Sequence, residues 1–96
     1  MIATRILAVR HGETLWNRET RIQGFTDIDL SELGQWQAQQ LAQALRDERV
    51  AACYASDLSR ARHTAQAVAD VHGHTVHTDP GLRERCFGQF EGHTWT

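Results

Sequence analysis

Ile6-Leu7-Ala8-Val9 runs straight into Arg10-His11-Gly12-Glu13-Thr14. An unbroken apolar run of this length, without alternation, is the pattern of a strand covered on both faces, and it places a strand over residues 4–9. The residues that follow put a cation, an imidazole and a glycine where that strand ends. Open α/β sheets bind their ligands at the carboxyl ends of their strands, so the junction at Arg10-His11 is the first candidate site.

Working outward, residues 10–30 carry no clean period and read as a long loop, and long loops in small domains tend to carry function. A helix is expected from Ser31 to Arg46. Ser31 is a good N-cap, and Gly34, Ala38, Leu41, Ala42 and Leu45 fall on one face with Gln35, Gln39 and Gln43 opposite. Val50–Ala55 reads as a second strand. A second helix, capped by Ser56 or Asp57, follows with Leu58, Ala61, Ala65, Val68, Ala69 and His72 at helical spacing and Gly73 as its stop. Thr75–Thr78 is a third short strand, and Asp79-Pro80-Gly81 a turn. Strand, helix, strand, helix, strand predicts an α/β fold with a parallel sheet. The loops after Val9 and after Ala55 then open on one sheet edge, which brings Arg10, His11 and Arg60 into one neighbourhood.

The chain has 96 residues, 10 basic and 12 acidic, for a formal net charge of -2. One domain over 1–96 suits that length. The charge argues against a general grip on nucleic acid, which needs a basic face, and leaves room for a local anion pocket. Cys53 and Cys86 stand far apart and do not have zinc-ligand spacing; Cys53 reads as a small buried apolar residue. Arg5, Arg10 and His11 interrupt the N-terminal apolar stretch well short of a signal-peptide core or membrane span. A cytoplasmic protein without membrane partners is expected. His72, His74 and His77 lack the companion cysteines or carboxylates that would complete a metal set, and no metal or other cofactor is expected. Trp16, Trp36 and Trp95 read as packing residues, with Trp16 near enough to the His11 loop to wall a pocket.

Phosphoryl transfer through histidine has definite requirements. The imidazole must be neutral and held in one tautomer. The phosphoryl oxygens need fixed donors, for which the guanidinium fork is better shaped than an ammonium. The leaving oxygen needs a proton from a nearby acid. Gly12 would leave space beside the histidine for a tetrahedral group, and the start of the second helix, near Arg60, would add amide dipoles.

Four blocks in one order carry a resemblance. Arg10-His11-Gly12-Glu13-Thr14 with Asn17, Arg21 and Gln23-Gly24 comes first, then Asp29-Leu30-Ser31-Glu32-Leu33-Gly34. Ser56-Asp57-Leu58-Ser59-Arg60-Ala61-Arg62-His63-Thr64-Ala65 follows, and last Leu82-Arg83-Glu84 with Phe87-Gly88-Gln89-Phe90-Glu91-Gly92. Together they resemble the histidine phosphatase superfamily, which includes the phosphoglycerate mutases. The resemblance implies a three-layer, mostly parallel open sheet, of which this chain covers roughly the N-terminal half. It implies His11 as the nucleophile, Arg10 and Arg60 as a phosphoryl clamp, and Glu84 as the acid and base. Asn17, Gln23 and Gly24 match positions that line the phosphate and substrate pocket, although ordinary loop hydrogen bonding explains Asn17 and Gln23 equally well. Arg62 reads as structural.

The implied activity is a phosphomonoester hydrolase acting on a small phosphorylated metabolite through phosphohistidine, with homodimer assembly left open. Gln23-Gly24 resembles the phosphatase branches more than the cofactor-dependent mutases, which usually carry Gly-Trp there. The family's second, late histidine has no match; His93 aligns just after the acid. Two alternatives therefore stand beside hydrolysis: mutase-type transfer, and a phosphate-binding module without turnover.

Overall fold

The computed structural model describes residues 5–94. Its elements are α1 (Leu15–Arg18), α2 (Glu32–Ala44), β1 (Cys53–Ala55), α3 (Ser59–His72) and β2 (Val76–Thr78), followed by 3-10 turns at Pro80–Leu82 and Gly88–Phe90. β1 and β2 pair in parallel, Cys53 opposite Val76 and Ala55 opposite Thr78. The connection between them is α3, as a parallel pair requires.

α2 starts where its sequence says it should. The Ser31 hydroxyl accepts from the Gly34 amide at 3.1 Å, and Gly34, Ala38 and Ala42 form the buried stripe. α3 ends at Gly73, whose φ of 69° is the left-handed conformation that glycine adopts without a Cβ penalty. α2 packs on α3, and α3 in turn packs on β1 and β2, with Leu30, Ala38, Ala42, Cys53, Ala67, Val68 and Ala69 at the centre and Leu41, Leu45, Val50 and Val76 around them. Four of the seven central side chains are single methyl groups. Each buries little area, so the seam holds by close backbone approach rather than by bulk. Cys53 is buried and unpaired, its thiol pushed up by desolvation.

Several expectations need correction. Residues 5–9 carry no ladder to β1 or β2, and residue 4 lies outside the described residues. Ile6 is 83 % exposed and Val9 48 %. The apolar run describes a strand walled on two sides, whereas Val9 borders an open pocket that Gln37, Ala38 and Leu41 of α2 also line. Strand pairing in the second strand is confined to residues 53–55, and Val50 instead packs at the flank of the helix seam. β2 begins at Val76 rather than Thr75, and His74 ahead of it gives a ring nitrogen to the Val50 carbonyl. His72, at the end of α3, reaches the Leu45 carbonyl at 2.9 Å.

Neither Ser56 nor Asp57 occupies the N-cap of α3. Leu58 does, without a side-chain bond. The cap is supplied from a distance, since Asp27 accepts from the Ser59 amide at 2.7 Å and from its hydroxyl at 3.1 Å. The stretch 10–30 is also more ordered than a loop. Thr14 caps α1 in a reciprocal box with Asn17, and Thr14 bridges to Leu30. Trp36 is 59 % exposed on α2 and is not a core residue among the described ones. Trp16 lies edge-on over Gly92; Trp95 is outside the described residues.

Candidate active site

His11 follows the extended segment directly and is half-buried. Its Nδ1 lies 2.6 Å from the Gly12 carbonyl. A carbonyl only accepts, so that nitrogen is the one carrying hydrogen, and Nε2 is left with its lone pair. Burial holds the imidazole below its ordinary pKa. The bond to the Gly12 carbonyl opposes this, Arg60 lowers the value further, Glu84 raises it and Arg10 lowers it. The same three charges named from sequence therefore act on one ring. The result is a neutral, single-tautomer imidazole with a free Nε2.

Gly12 sits differently from expectation. A Cβ on it would stand 2.4 Å from the Gly34 carbonyl oxygen, so the absent side chain makes room for α2 rather than for a ligand. Its amide donates to the Thr64 hydroxyl at 3.1 Å.

Arg60 is the most deeply buried large side chain described, 1 % exposed. Nη1 donates to the Thr26 carbonyl at 2.7 Å and Nη2 to the Gly24 carbonyl at 2.5 Å. Nη2 also stands 3.3 Å from Glu84 Oε1. Two carbonyls and one carboxylate thus fix the fork, and α3 anchors its stem. Glu84 is held at one end only, with its side chain 43 % exposed. Its sequence neighbour Arg83 is engaged elsewhere, donating to both oxygens of Asp57 at 2.6 and 2.5 Å and lying over the Phe25 ring. The ion pair of Glu84 is therefore with Arg60 and not with the arginines beside it.

Arg10 is exposed and lines, with His11, Gly12, Gln37, Leu41 and Thr64, an open pocket of about 280 Å³. Asn17 and Gln23 both carry structural bonds. Asn17 Oδ1 accepts from the Thr14 amide at 3.1 Å, and Gln23 Oε1 accepts from the Thr14 hydroxyl at 2.5 Å. Gln23 is buried, as is Gly24, whose carbonyl meets Arg60. Arg62 is exposed. His93 lies on a short antiparallel pairing, its carbonyl accepting from Ile22 at 2.8 Å.

One residue escaped the sequence reading. Glu91 gathers the Phe25 and Thr26 amides (3.1 and 2.8 Å), the Thr26 hydroxyl, and the Phe87 and Gly88 amides (3.1 and 3.2 Å). These donors hold its carboxyl well down, to about 2, the Thr26 hydroxyl contributing most. The carboxylate ties the segment that supplies the Arg60 acceptors to the segment that follows Glu84. Only its place in the fourth sequence block hinted at it.

A model of the histidine phosphatase superfamily, branch 1, matches residues 6–96. The chain belongs to that superfamily. Among its histidine phosphatase relatives, the probable phosphoglycerate mutase GpmB of Erwinia tasmaniensis is 48% identical over 87 residues, covering 91% of this chain and 40% of that protein. The Yersinia pestis protein of the same name is 46% identical over the same span. Among solved histidine phosphatase structures, a mycobacterial glucosyl-3-phosphoglycerate phosphatase in complex with VO3 superposes with a TM-score of 0.86 at 39% identity, covering 88% of this chain and 41% of that one. Phosphoserine phosphatase from Entamoeba histolytica, in complex with 3-phosphoglyceric acid, gives 0.79 at 44% identity, with 88% and 41% covered. The chain thus spans about 40% of the length of the relatives it matches, as an N-terminal part of this α/β fold.

Proposed function

We propose that this chain carries the nucleophile, clamp and acid of a phosphomonoesterase that works through phosphohistidine on a small phosphorylated metabolite in the cytoplasm. The observation that supports it best is His11 itself, neutral, held by Nδ1 on a carbonyl, with Nε2 free beside the Arg60–Glu84 pair. Nε2 attacks phosphorus while the bond to the leaving oxygen breaks, and the Glu84 carboxyl gives that oxygen its proton. Arg10 and Arg60 meet the charge on the phosphoryl oxygens, and Asn17, Gln23 and Gly24 shape the pocket wall. Water then attacks the phosphoryl group, Glu84 takes its proton, the P–N bond breaks and phosphate leaves. The step uses no metal or nucleotide.

Two solved neighbours are phosphatases of small phosphorylated compounds, which favours hydrolysis. The GpmB relatives favour a second reading, in which an alcohol replaces water as the acceptor and phosphate moves between positions of a sugar acid. Incubation with an aryl phosphate and a quench in base should leave acid-labile phosphate on His11 and none on His11→Ala. Phosphate released to water supports the hydrolase; phosphate passed to a supplied hydroxy acid supports the mutase. Phosphate binding with no labelled histidine would overturn both in favour of a binding module.

A further inference from the structure

We propose that Thr64 is a positioning residue, which couples the clamp helix to the nucleophile loop and keeps His11 in its attacking tautomer. The inference rests on the phosphohistidine reading and adds a residue to it.

Thr64 lies one turn after Arg60 in α3 and is 5 % exposed. Its hydroxyl donates to the Arg60 carbonyl at 2.8 Å. That bond fixes the rotor, and the oxygen lone pairs then face the Gly12 amide, which donates at 3.1 Å. Gly12 in turn presents its carbonyl to His11 Nδ1. A single chain of bonds therefore runs from the backbone of Arg60 through Thr64 and Gly12 to the imidazole. A threonine hydroxyl inside a helix is usually spent on the preceding turn alone. Here it makes that bond and also takes up a buried amide across 52 positions of sequence. Without the hydroxyl, the Gly12 amide would be a buried donor lacking a partner, a costly state that the loop escapes only by moving. Movement of Gly12 takes its carbonyl away from Nδ1, and the ring is then free to place hydrogen on Nε2, the nitrogen that must attack.

Thr64 lines the open pocket beside His11, and its hydroxyl is engaged by the Arg60 carbonyl and the Gly12 amide, so its part is to position. Its removal should act on the transfer step and spare phosphate binding, because Arg60 keeps its own acceptors at Thr26 and Gly24.

The test compares wild type with Thr64→Val, which keeps the shape and loses the hydroxyl, and Thr64→Ser, which keeps the hydroxyl. Three readouts are taken: the rate of His11 phosphorylation by an aryl phosphate, the Kd for inorganic phosphate, and the 15N shifts of the His11 ring. Thr64→Val should slow phosphorylation by about tenfold or more with Kd nearly unchanged. Its His11 should show hydrogen on both nitrogens in exchange, and Thr64→Ser should restore both properties. If Thr64→Val melts below the assay temperature, Thr64→Ala is read in its place against the same expectations.

Wild-type rate and ring shifts in the valine variant would overturn the proposal. So would a loss that appears wholly in Kd, or a serine variant as slow as valine, which would assign the effect to packing of the methyl group. A wild-type protein that takes no phosphate on His11 would instead overturn the phosphohistidine reading. The ring shifts would still decide the role of Thr64.

Discussion

Gly12 and Gly34 meet backbone to backbone: a Cβ on Gly34 would lie 1.9 Å from the Glu13 carbonyl oxygen, and one on Gly12 would lie 2.4 Å from the Gly34 carbonyl oxygen. The contact presses the first turn of α2 onto the residues that follow His11. Ser31 strengthens the junction, its amide donating to the Glu13 carbonyl at 2.8 Å and its hydroxyl to Glu13 Oε1 at the same distance. The helix cap and the loop that follows His11 are thus one structure.

Gly34→Ala should therefore be damaging although alanine is the better helix former. The obstructing atoms are backbone, so α2 or the loop has to shift, at a cost of about 1–3 kcal/mol. Thermal unfolding should show the loss, and Gln39→Ala on the exposed face of the same helix should stay within about 0.5 kcal/mol of wild type. An unchanged melting temperature in Gly34→Ala would contradict the close approach.

Glu91 offers an acid-stability test. Its folded pKa, about 2, is depressed below the ordinary carboxylate value. A depressed carboxyl contributes stability that is present above the unfolded pKa and lost as pH falls through the folded one. The window accordingly runs from about 4.5 down to about 2. Glu91→Gln should lower the melting temperature at neutral pH by roughly 5–10 °C, since several amides lose a charged acceptor. The gap between variant and wild type should close as pH drops through that window. A gap that is constant with pH would mean the carboxylate charge is not what holds the two segments.

The parts of this architecture that were legible in the sequence are those set by neighbours a few residues apart. The Ser31 cap, the alanine stripe of α2 and the left-handed stop at Gly73 are all of this kind. The Thr14–Asn17 box is equally local, and a Thr three positions before a side-chain acceptor could have revealed α1; the absence of an apolar period hid it. Long-range features escaped. The cap of α3 comes from Asp27, 32 positions away, and nothing in Ser56-Asp57-Leu58 announces that a better acceptor arrives from elsewhere. Residues 5–9 stay exposed, because burial depends on what packs against an apolar run and not on the run itself. For the site, residue types and order named His11, Arg60 and Glu84, and the structure brings the three together. The contact of Gly12 with α2, and the tie that Glu91 makes between segments, arise from long-range packing that no local pattern carries.

Glu84 can be separated from mere charge pairing by its dependence on the leaving group. As an acid it matters most when the departing oxygen is a strong base. Glu84→Gln should cut turnover of an alkyl phosphate by about 10²–10⁴-fold. Turnover of p-nitrophenyl phosphate should fall much less, because that leaving group departs without a proton. Glu84 is largely solvated and Arg60 keeps two carbonyl acceptors, so the fold should tolerate the change. Equal losses for both substrates would leave Glu84 as a partner of Arg60 only.

The lowered pKa of His11 makes the last prediction. Burial and the two arginines outweigh Glu84 and the Gly12 carbonyl, so the folded ring gives up its proton at a lower pH than a free histidine near 6.5. Two consequences have a definite sign. Phosphorylation of His11 needs the neutral ring, so its acidic limb should lie below pH 6.5. Stability works in the same direction: the unfolded chain takes up the proton first, so the contribution of a neutral His11 is complete above the unfolded value and fades as pH falls through the folded one. Glu84 is the one charge in the set that favours the protonated ring, and Glu84→Gln should therefore move the His11 midpoint still lower. An NMR titration of the His11 Cε1 proton reads the midpoint in wild type and in Glu84→Gln. A midpoint at or above 6.5, or one that rises in Glu84→Gln, would show that the three charges do not act on the ring as their placement requires.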